Sequence, residues 1–264
     1  MSLLKNMEVY NFGTDINQLL YLIINTFYSC KDIFLRELIS NSWDALEKYR
    51  YNLMKNGNFQ SITDFNINVF LHENNLCIED NGIGMTKQDL IDNLGTIASS
   101  GTKKFLEMIK NKSDEDKSID QIGQFGVGFY SSFLVANVVN VYTKCENENI
   151  YLWSSNSDNK YTIEEISFEK FNEKFYKYLN KDFNHGTLIE LVLKDDEYRD
   201  QNKLENVIKK YSQFISYPIY LRKKIKKEVE KIDEELEFNK ELNPNNESNK
   251  IDEETNKNDD EGEC

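Results

Sequence analysis

The chain has 264 residues, with 39% hydrophobic and 12% aromatic side chains, enough to bury a sizeable core. Its formal charge is -14, but residues 228–264 hold 15 of the 46 acidic groups and 4 of the 32 basic ones, so the first 227 residues are near neutral. No run of 18 apolar residues exists, which excludes a membrane-spanning helix, and four scattered cysteines without a CxxC pair argue against a zinc or disulfide framework.

In chain order, Ile16, Leu19, Leu20, Ile23, Ile24 and Phe27 follow helical spacing, and a second helix is expected from about Asp32 through Tyr51. Phe65–Phe70 and Leu76–Asp80 read as short strands joined by a turn at His72–Asn75, a hairpin. Thr86 and Asp89 form a helix-opening cap, which places Asn81-Gly82-Ile83-Gly84 between a strand end and a helix start. Gly95–Gln121 reads as a mobile segment with one helical patch at Lys103–Lys110. A short helix follows, to Leu134, then strands near Val138–Tyr142, Ile150–Trp153, Tyr161–Ile166 and Thr187–Leu193. A closing helix spans about Leu204–Phe214. Beyond Tyr217-Pro218 the Lys/Glu-rich run has few apolar residues and reads as a solvated linker.

Three stretches could carry chemistry. On the second helix, Glu37, Asn41, Asp44 and Lys48 fall within an arc of roughly 60° at about 100° per residue. Spacing alone favours a solvated face there, although an Asn oxygen and a Glu could also serve Mg²⁺ and water activation. Asp80, with Gly82, Gly84 and Met85 after it, is either an ordinary turn or a carboxylate placed to accept from an exocyclic amine, with glycines admitting a planar ring. Gly123, Gly126 and Gly128 run GxxGxG, the reverse of the dinucleotide fingerprint; backbone N–H groups leading into a helix still suit a phosphate.

Together, Glu37–Asn41, Asp80–Met85 and Gly123–Phe129 resemble the three nucleotide-binding boxes shared by gyrase B, histidine kinases, MutL and heat-shock protein 90. Ile23–Ser29, Phe34–Asn41, Asn93–Ala98 and Gly123–Tyr130 resemble the heat-shock protein 90 family alone, and the likeness runs over about residues 8–222. The resemblance implies an N-terminal ATP-binding domain over residues 1–222, an α/β two-layer sandwich with a mostly antiparallel sheet covered by helices and a nucleotide lid, followed by an acidic linker over 223–264. It implies Glu37 as general base, Asn41 as Mg²⁺ ligand, and Asp80 as acceptor for the adenine amine of ATP or ADP. Gly84, Met85, Asn93 and Thr187 would line the nucleoside pocket, with Asp44 and Lys48 also assigned to the nucleotide site. Gly123, Gly126, Val127, Gly128 and Phe129 would wrap the phosphates, and about 93–121 would close as the lid.

Two departures from the family pattern stand out. Ser99 replaces a phosphate-directed Lys, and Trp43 replaces a small residue; Trp43 is expected to face away from the nucleotide and fill core. The family also implies a slowly hydrolysing chaperone that is a homodimer at full length, with clients and co-chaperones as partners and neither nucleic acid nor membrane among them. The isolated domain is expected to be monomeric and weakly active, in the cytoplasm, or in the endoplasmic reticulum or a plastid if a targeting segment is missing. A nucleotide-gated binding module, or a topoisomerase or kinase relative, remains as the alternative.

Overall fold

The computed structural model describes residues 7–12, 30–57, 65–95, 128–156, 158, 160–179, 183–224 and 236–241. The expected first helix, residues 96–127 with most of the lid, and Gly123, Gly126 and Val127 lie outside them.

Among the described residues nine strands form one sheet in the order β1-β6-β5-β4-β7-β3-β2-β8-β9. In chain order these are β1 (Met7–Asn11), β2 (Ile67–His72), β3 (Asn75–Asp80), β4 (Ala136–Lys144), β5 (Ile150–Ser155), β6 (Lys160–Ile166), β7 (Gly186–Leu193), β8 (Ile219–Lys224) and β9 (Leu236–Glu241). Among the described residues only β2 and β8 run parallel; every other neighbouring pair is antiparallel. The helices are α1 (Ile33–Lys55), α2 (Lys87–Asp89, running on as a wide turn through Gly95), α3 (Phe168–Phe175) and α4 (Gln201–Tyr211). The architecture is an α/β sandwich, one face of the sheet carrying the main helical layer.

The period of the sequence explains which face each side chain takes. On β3, Leu76 and Ile78 join the core beneath α1, with Ile67, Val69, Ile189, Leu191 and Val141 from neighbouring strands. Alternate residues point the other way, so Cys77 packs with Phe70, Tyr142 and Leu188 against Phe171 and Phe175 of α3. This second face also buries a charge. Glu190 is fully buried and accepts from Lys174 Nζ at 2.7 Å, Asn140 Nδ2 at 3.0 Å and Asn75 Nδ2 at 3.1 Å, the partnering that a buried carboxylate requires.

The hairpin turns at Glu73-Asn74, where Glu73 takes a left-handed φ of 55°. The expected cap is present in full: the Asp89 N–H donates to Thr86 Oγ1 at 3.1 Å, and the Thr86 N–H donates back to Asp89 Oδ2 at 2.9 Å. Trp43 packs against the core and donates from Nε1 to Ser216 Oγ at 3.2 Å, as expected of a packing residue.

Six elements differ from expectation. The stretch expected to form the expected short helix to Leu134 is a 3-10 helix, Gly128–Leu134, and α4 starts and ends three residues early. Strand β1 and helix α3 were not anticipated. The stretch from 223 onward, expected as solvated linker, supplies the end of β8 and all of β9, which pairs with β8 from Tyr220↔Glu241 to Lys224↔Leu236. The reason is that β8 needs few apolar side chains. Ile219 and Leu221 alternate into the core while its backbone pairs with β2 through Ile67↔Ile219 and Val69↔Leu221.

Candidate active site

Helix α1 packs on the sheet with Ser42 and Ala45 against Asp80 and the loop after β3. Glu37 is buried and Asn41, Asp44 and Lys48 are exposed along the same side. Arg36 grips the Glu37 carboxylate by one oxygen, donating to Oε1 from Nη2 at 2.7 Å and from Nε at 3.1 Å. The other oxygen lies against Gly128, where an added Cβ would sit 2.3 Å from Oε2. The start of the 3-10 helix can approach Glu37 this closely only because it lacks a side chain. Phe129 next to it is buried against Trp153 and Tyr130, which anchors the end of the expected phosphate loop to the sheet.

The Asp44 carboxyl sits above its ordinary range because surrounding protein displaces water, with Lys48 opposing and Glu47 reinforcing the effect. Asn93 is exposed on the wide turn after α2; Leu94 beside it is buried and its carbonyl accepts from the Tyr130 hydroxyl at 2.8 Å.

Asp80 ends β3 and is 4% exposed. Its Oδ1 accepts from the Gly82 N–H at 3.0 Å, and Ser42 of α1 and the Thr187 backbone also bond to its carboxylate. Gly82 is pressed onto the helix: an added Cβ would lie 2.7 Å from the Ala45 carbonyl carbon, and the Ile83 N–H donates to the Ala45 oxygen at 3.2 Å. Gly84 has φ +70°, and its own added Cβ would fall 2.0 Å from the Lys144 oxygen of β4. The loop Asn81–Met85 is thus wedged between α1 and β4, with Asp80 at its root.

Thr187 stands directly opposite Asp80 in the β3–β7 register. Met85, half-buried, donates its N–H to Thr143 Oγ1 at 2.9 Å, and Thr143 lies 3.0 Å from Thr187 Oγ1. The structure therefore brings Asp80, Gly84, Met85 and Thr187 together at one end of the sheet, and Glu37 together with Gly128 and Phe129 along α1. Sequence reasoning missed Thr143, Ser42 and His185, whose Nδ1 meets the Gly82 carbonyl at 2.9 Å while its ring packs on Tyr49. The strand register alone identifies Thr143, and no motif marks it.

Burial pushes the Asp80 carboxyl up to about 7; the Gly82 N–H, Ser42 and Thr187 oppose this and the neighbouring Glu79 adds to it. Glu79 faces the other side of the sheet and is likewise pushed up to about 7 by burial, against the pull of Asn68 and the Arg222 charge. A carboxyl raised in the folded state holds a proton that the unfolded chain has released. Its stabilising contribution is complete below the unfolded value near 4 and is lost as pH rises through about 7. Asn imitates the protonated form, so Asp80→Asn should melt close to wild type below about pH 4 and progressively higher than wild type as pH rises to 8. Scanning calorimetry of the nucleotide-free proteins checks this, and a difference that does not change with pH would contradict it.

A family model described as histidine kinase-, DNA gyrase B-, and HSP90-like ATPase matches residues 28–187, and one described as Hsp90 protein matches residues 197–264. The chain is 46% identical over 240 residues to an endoplasmin homolog from Dictyostelium discoideum, covering 88% of this chain and 29% of that protein. It is 46% identical over 224 residues to chaperone protein HtpG of Buchnera aphidicola subsp. Cinara cedri (81% and 34%), and 41% identical over 238 residues to heat shock protein 90 of Encephalitozoon cuniculi (87% and 32%). It thus spans about a third of the length of these relatives. Among the described residues, no helix is long and apolar enough to cross a membrane. With the Asp80 loop, the Glu37 helix face and the open sheet in place, the chain belongs to the histidine kinase-, DNA gyrase B- and HSP90-like ATPases, as the N-terminal ATP-binding domain of the Hsp90 family.

Proposed function

We propose that this domain binds ATP with its adenine amine on Asp80 and hydrolyses it with Glu37 as general base. The observation that carries this reading is the buried Asp80 carboxylate, fixed by the Gly82 N–H and flanked by two glycines at which any Cβ would collide with backbone. Gly84, Met85, Asn93 and Thr187 line the nucleoside side; Gly128 and Phe129, with Gly123, Gly126 and Val127, hold the phosphates; Asp44 and Lys48 border the opening. A divalent cation fits the chemistry of α1, where the Asn41 amide oxygen projects one turn beyond the Glu37 carboxylate, both hard oxygen donors. Mg²⁺ held by Asn41 would supply charge neutralisation at the phosphates. Glu37 takes the proton of the attacking water at Oε2, the oxygen that faces Gly128, while Arg36 holds Oε1 and fixes the orientation of the carboxylate.

The Arg36 contact also favours a second reading, in which nucleotide acts as a gate and hydrolysis is slow, because Arg36 occupies Oε1 and leaves the attacking water a single carboxylate oxygen. In the full-length protein the activity serves a homodimeric chaperone acting on client proteins with co-chaperones, without nucleic acid or membrane as partner. Residues 1–222 form the nucleotide-binding body and 223–264 a charged linker, of which β9 folds back on β8. The compartment is the cytoplasm, as the similarity to HtpG supports; similarity to an endoplasmin homolog keeps the endoplasmic reticulum as its alternative.

Glu37→Gln in the full-length protein tests the assignment. A general base acts in the transition state, so ADP and ATP affinity should stay within about threefold of wild type while kcat falls about 100-fold or more. Steady-state turnover beside calorimetric titration measures both, and unchanged turnover would remove Glu37 from the chemistry.

A further inference from the structure

Thr143 has no part in the roles above, yet its hydroxyl is the junction of the base pocket. It is fully buried on β4, directly opposite Thr187 on β7. Its Oγ1 lies 2.9 Å from the Met85 N, 3.1 Å from the Gly186 carbonyl oxygen and 3.0 Å from Thr187 Oγ1. A hydroxyl has one hydrogen and two lone pairs. The Met85 N–H can only donate and the Gly186 carbonyl can only accept, so the Thr143 hydrogen goes to Gly186 and one lone pair takes Met85. The remaining lone pair must then receive the Thr187 hydrogen. Every capacity of Thr143 is used, and Thr187, its hydrogen spent, presents only lone pairs to the pocket.

We infer that Thr143 is a positioning residue that fixes the Thr187 hydroxyl as an acceptor and thereby sets the pocket's preference for a 6-amino over a 6-oxo purine. The inference rests on the placing of adenine at Asp80. Asp80 and Thr187 face each other across β3 and β7, so an ionised carboxylate and a lone-pair-only hydroxyl stand side by side. Two acceptors hold an amine that has two hydrogens to give and repel a carbonyl oxygen. Were Thr187 free to turn its hydroxyl, it could donate to that carbonyl and the discrimination would weaken. The same bond explains why the loop needs Gly84. Only a residue without Cβ lets the chain approach Lys144 closely enough for Met85 to reach Thr143.

The test is calorimetric titration of ADP and inosine diphosphate at pH 8, where Asp80 is mostly ionised, into wild type, Thr143→Val and Thr143→Ser. Wild type should prefer ADP by about 100-fold or more, a range within reach of a site that reads polar groups. Thr143→Val keeps the shape but frees Thr187, and should cut that ratio about tenfold; Thr143→Ser restores the hydroxyl and should keep the ratio within about twofold. A merely structural role would weaken both ligands alike and leave the ratio unchanged, which would overturn the inference. If wild type binds neither ligand, the nucleotide reading itself fails. Should Thr143→Val not fold, Thr187→Val decides instead. Removing an acceptor-only hydroxyl should cut the ADP preference about tenfold, and a preference that is unchanged or larger would show that Thr187 does not act as an acceptor.

Discussion

Asp80→Asn should lower ADP affinity at pH 8 at least about 100-fold while leaving a folded domain. The Gly82 N–H already donates to Oδ1, so an asparagine keeps its single oxygen turned toward that donor. Its NH₂ group then points where the adenine amine would come, and two donors face each other in a buried site, a mismatch worth about 3 kcal/mol or more. The fold survives because the Gly82 bond survives, and because an uncharged amide is easier to bury than a carboxylate. Titration calorimetry of ADP, with a thermal melt to confirm folding, measures the effect. An affinity within threefold of wild type would place the adenine elsewhere.

Gly84→Ala should be the most damaging small substitution in the loop. The residue has φ +70°, and its added Cβ would lie 2.0 Å from the Lys144 oxygen and 2.6 Å from its carbon, backbone atoms of a central strand that cannot give way. The loop must therefore move, which costs about 3 kcal/mol and a fall in melting temperature of roughly 6–12 °C for a domain of this size. Nucleotide affinity should fall with it, since the Met85 tether is lost. Gly57→Ala separates the two contributions: its φ is +75° but nothing lies within 4 Å of an added Cβ, so only the backbone term of about 1 kcal/mol applies. Equal melting temperatures for the two variants would show that the close approach to Lys144 is not rigid.

Much of this arrangement is legible in the amino-acid order because local rules dominate there. The β2–β3 hairpin follows from two alternating runs around a four-residue polar break, and the Thr86–Asp89 cap from two residue types three apart. Helix α3 carried a readable signal that went unused: Ser167 caps it, accepting from the Lys170 N–H at 3.3 Å, and Phe168, Phe171 and Phe175 recur at helical spacing. Strand β1 and the end of β8 were not legible in the same way. Met7–Asn11 is an edge strand with four exposed positions, and β8 ends in Arg222-Lys223-Lys224, so neither shows the apolar density that marks a core strand. The roles of Asp80 and Glu37 come from the resemblance of their boxes to a known family; helical spacing alone favours a solvated face around Glu37, and the Asp80 string alone leaves an ordinary turn open. Thr143 is legible in neither way, because its importance arises from register with a strand more than forty residues away.

The place of β3 in the sheet constrains how the chain is made. One edge of β3 pairs with β2 across a two-residue turn, but the other pairs with β7, which begins at Gly186. While the protein is being synthesised, more than a hundred residues must follow Asp80 before its second neighbour exists, and the row of backbone groups from Leu76 to Asp80 stays open on that side. A nascent chain stopped short of Gly186 holds both Glu37 and Asp80 but lacks Thr187, which the proposed site requires. Nucleotide can then reward only the finished sheet, so ligand binding selects for chains whose late strand has docked in register and offers nothing to those that have paired the open edge with a neighbour.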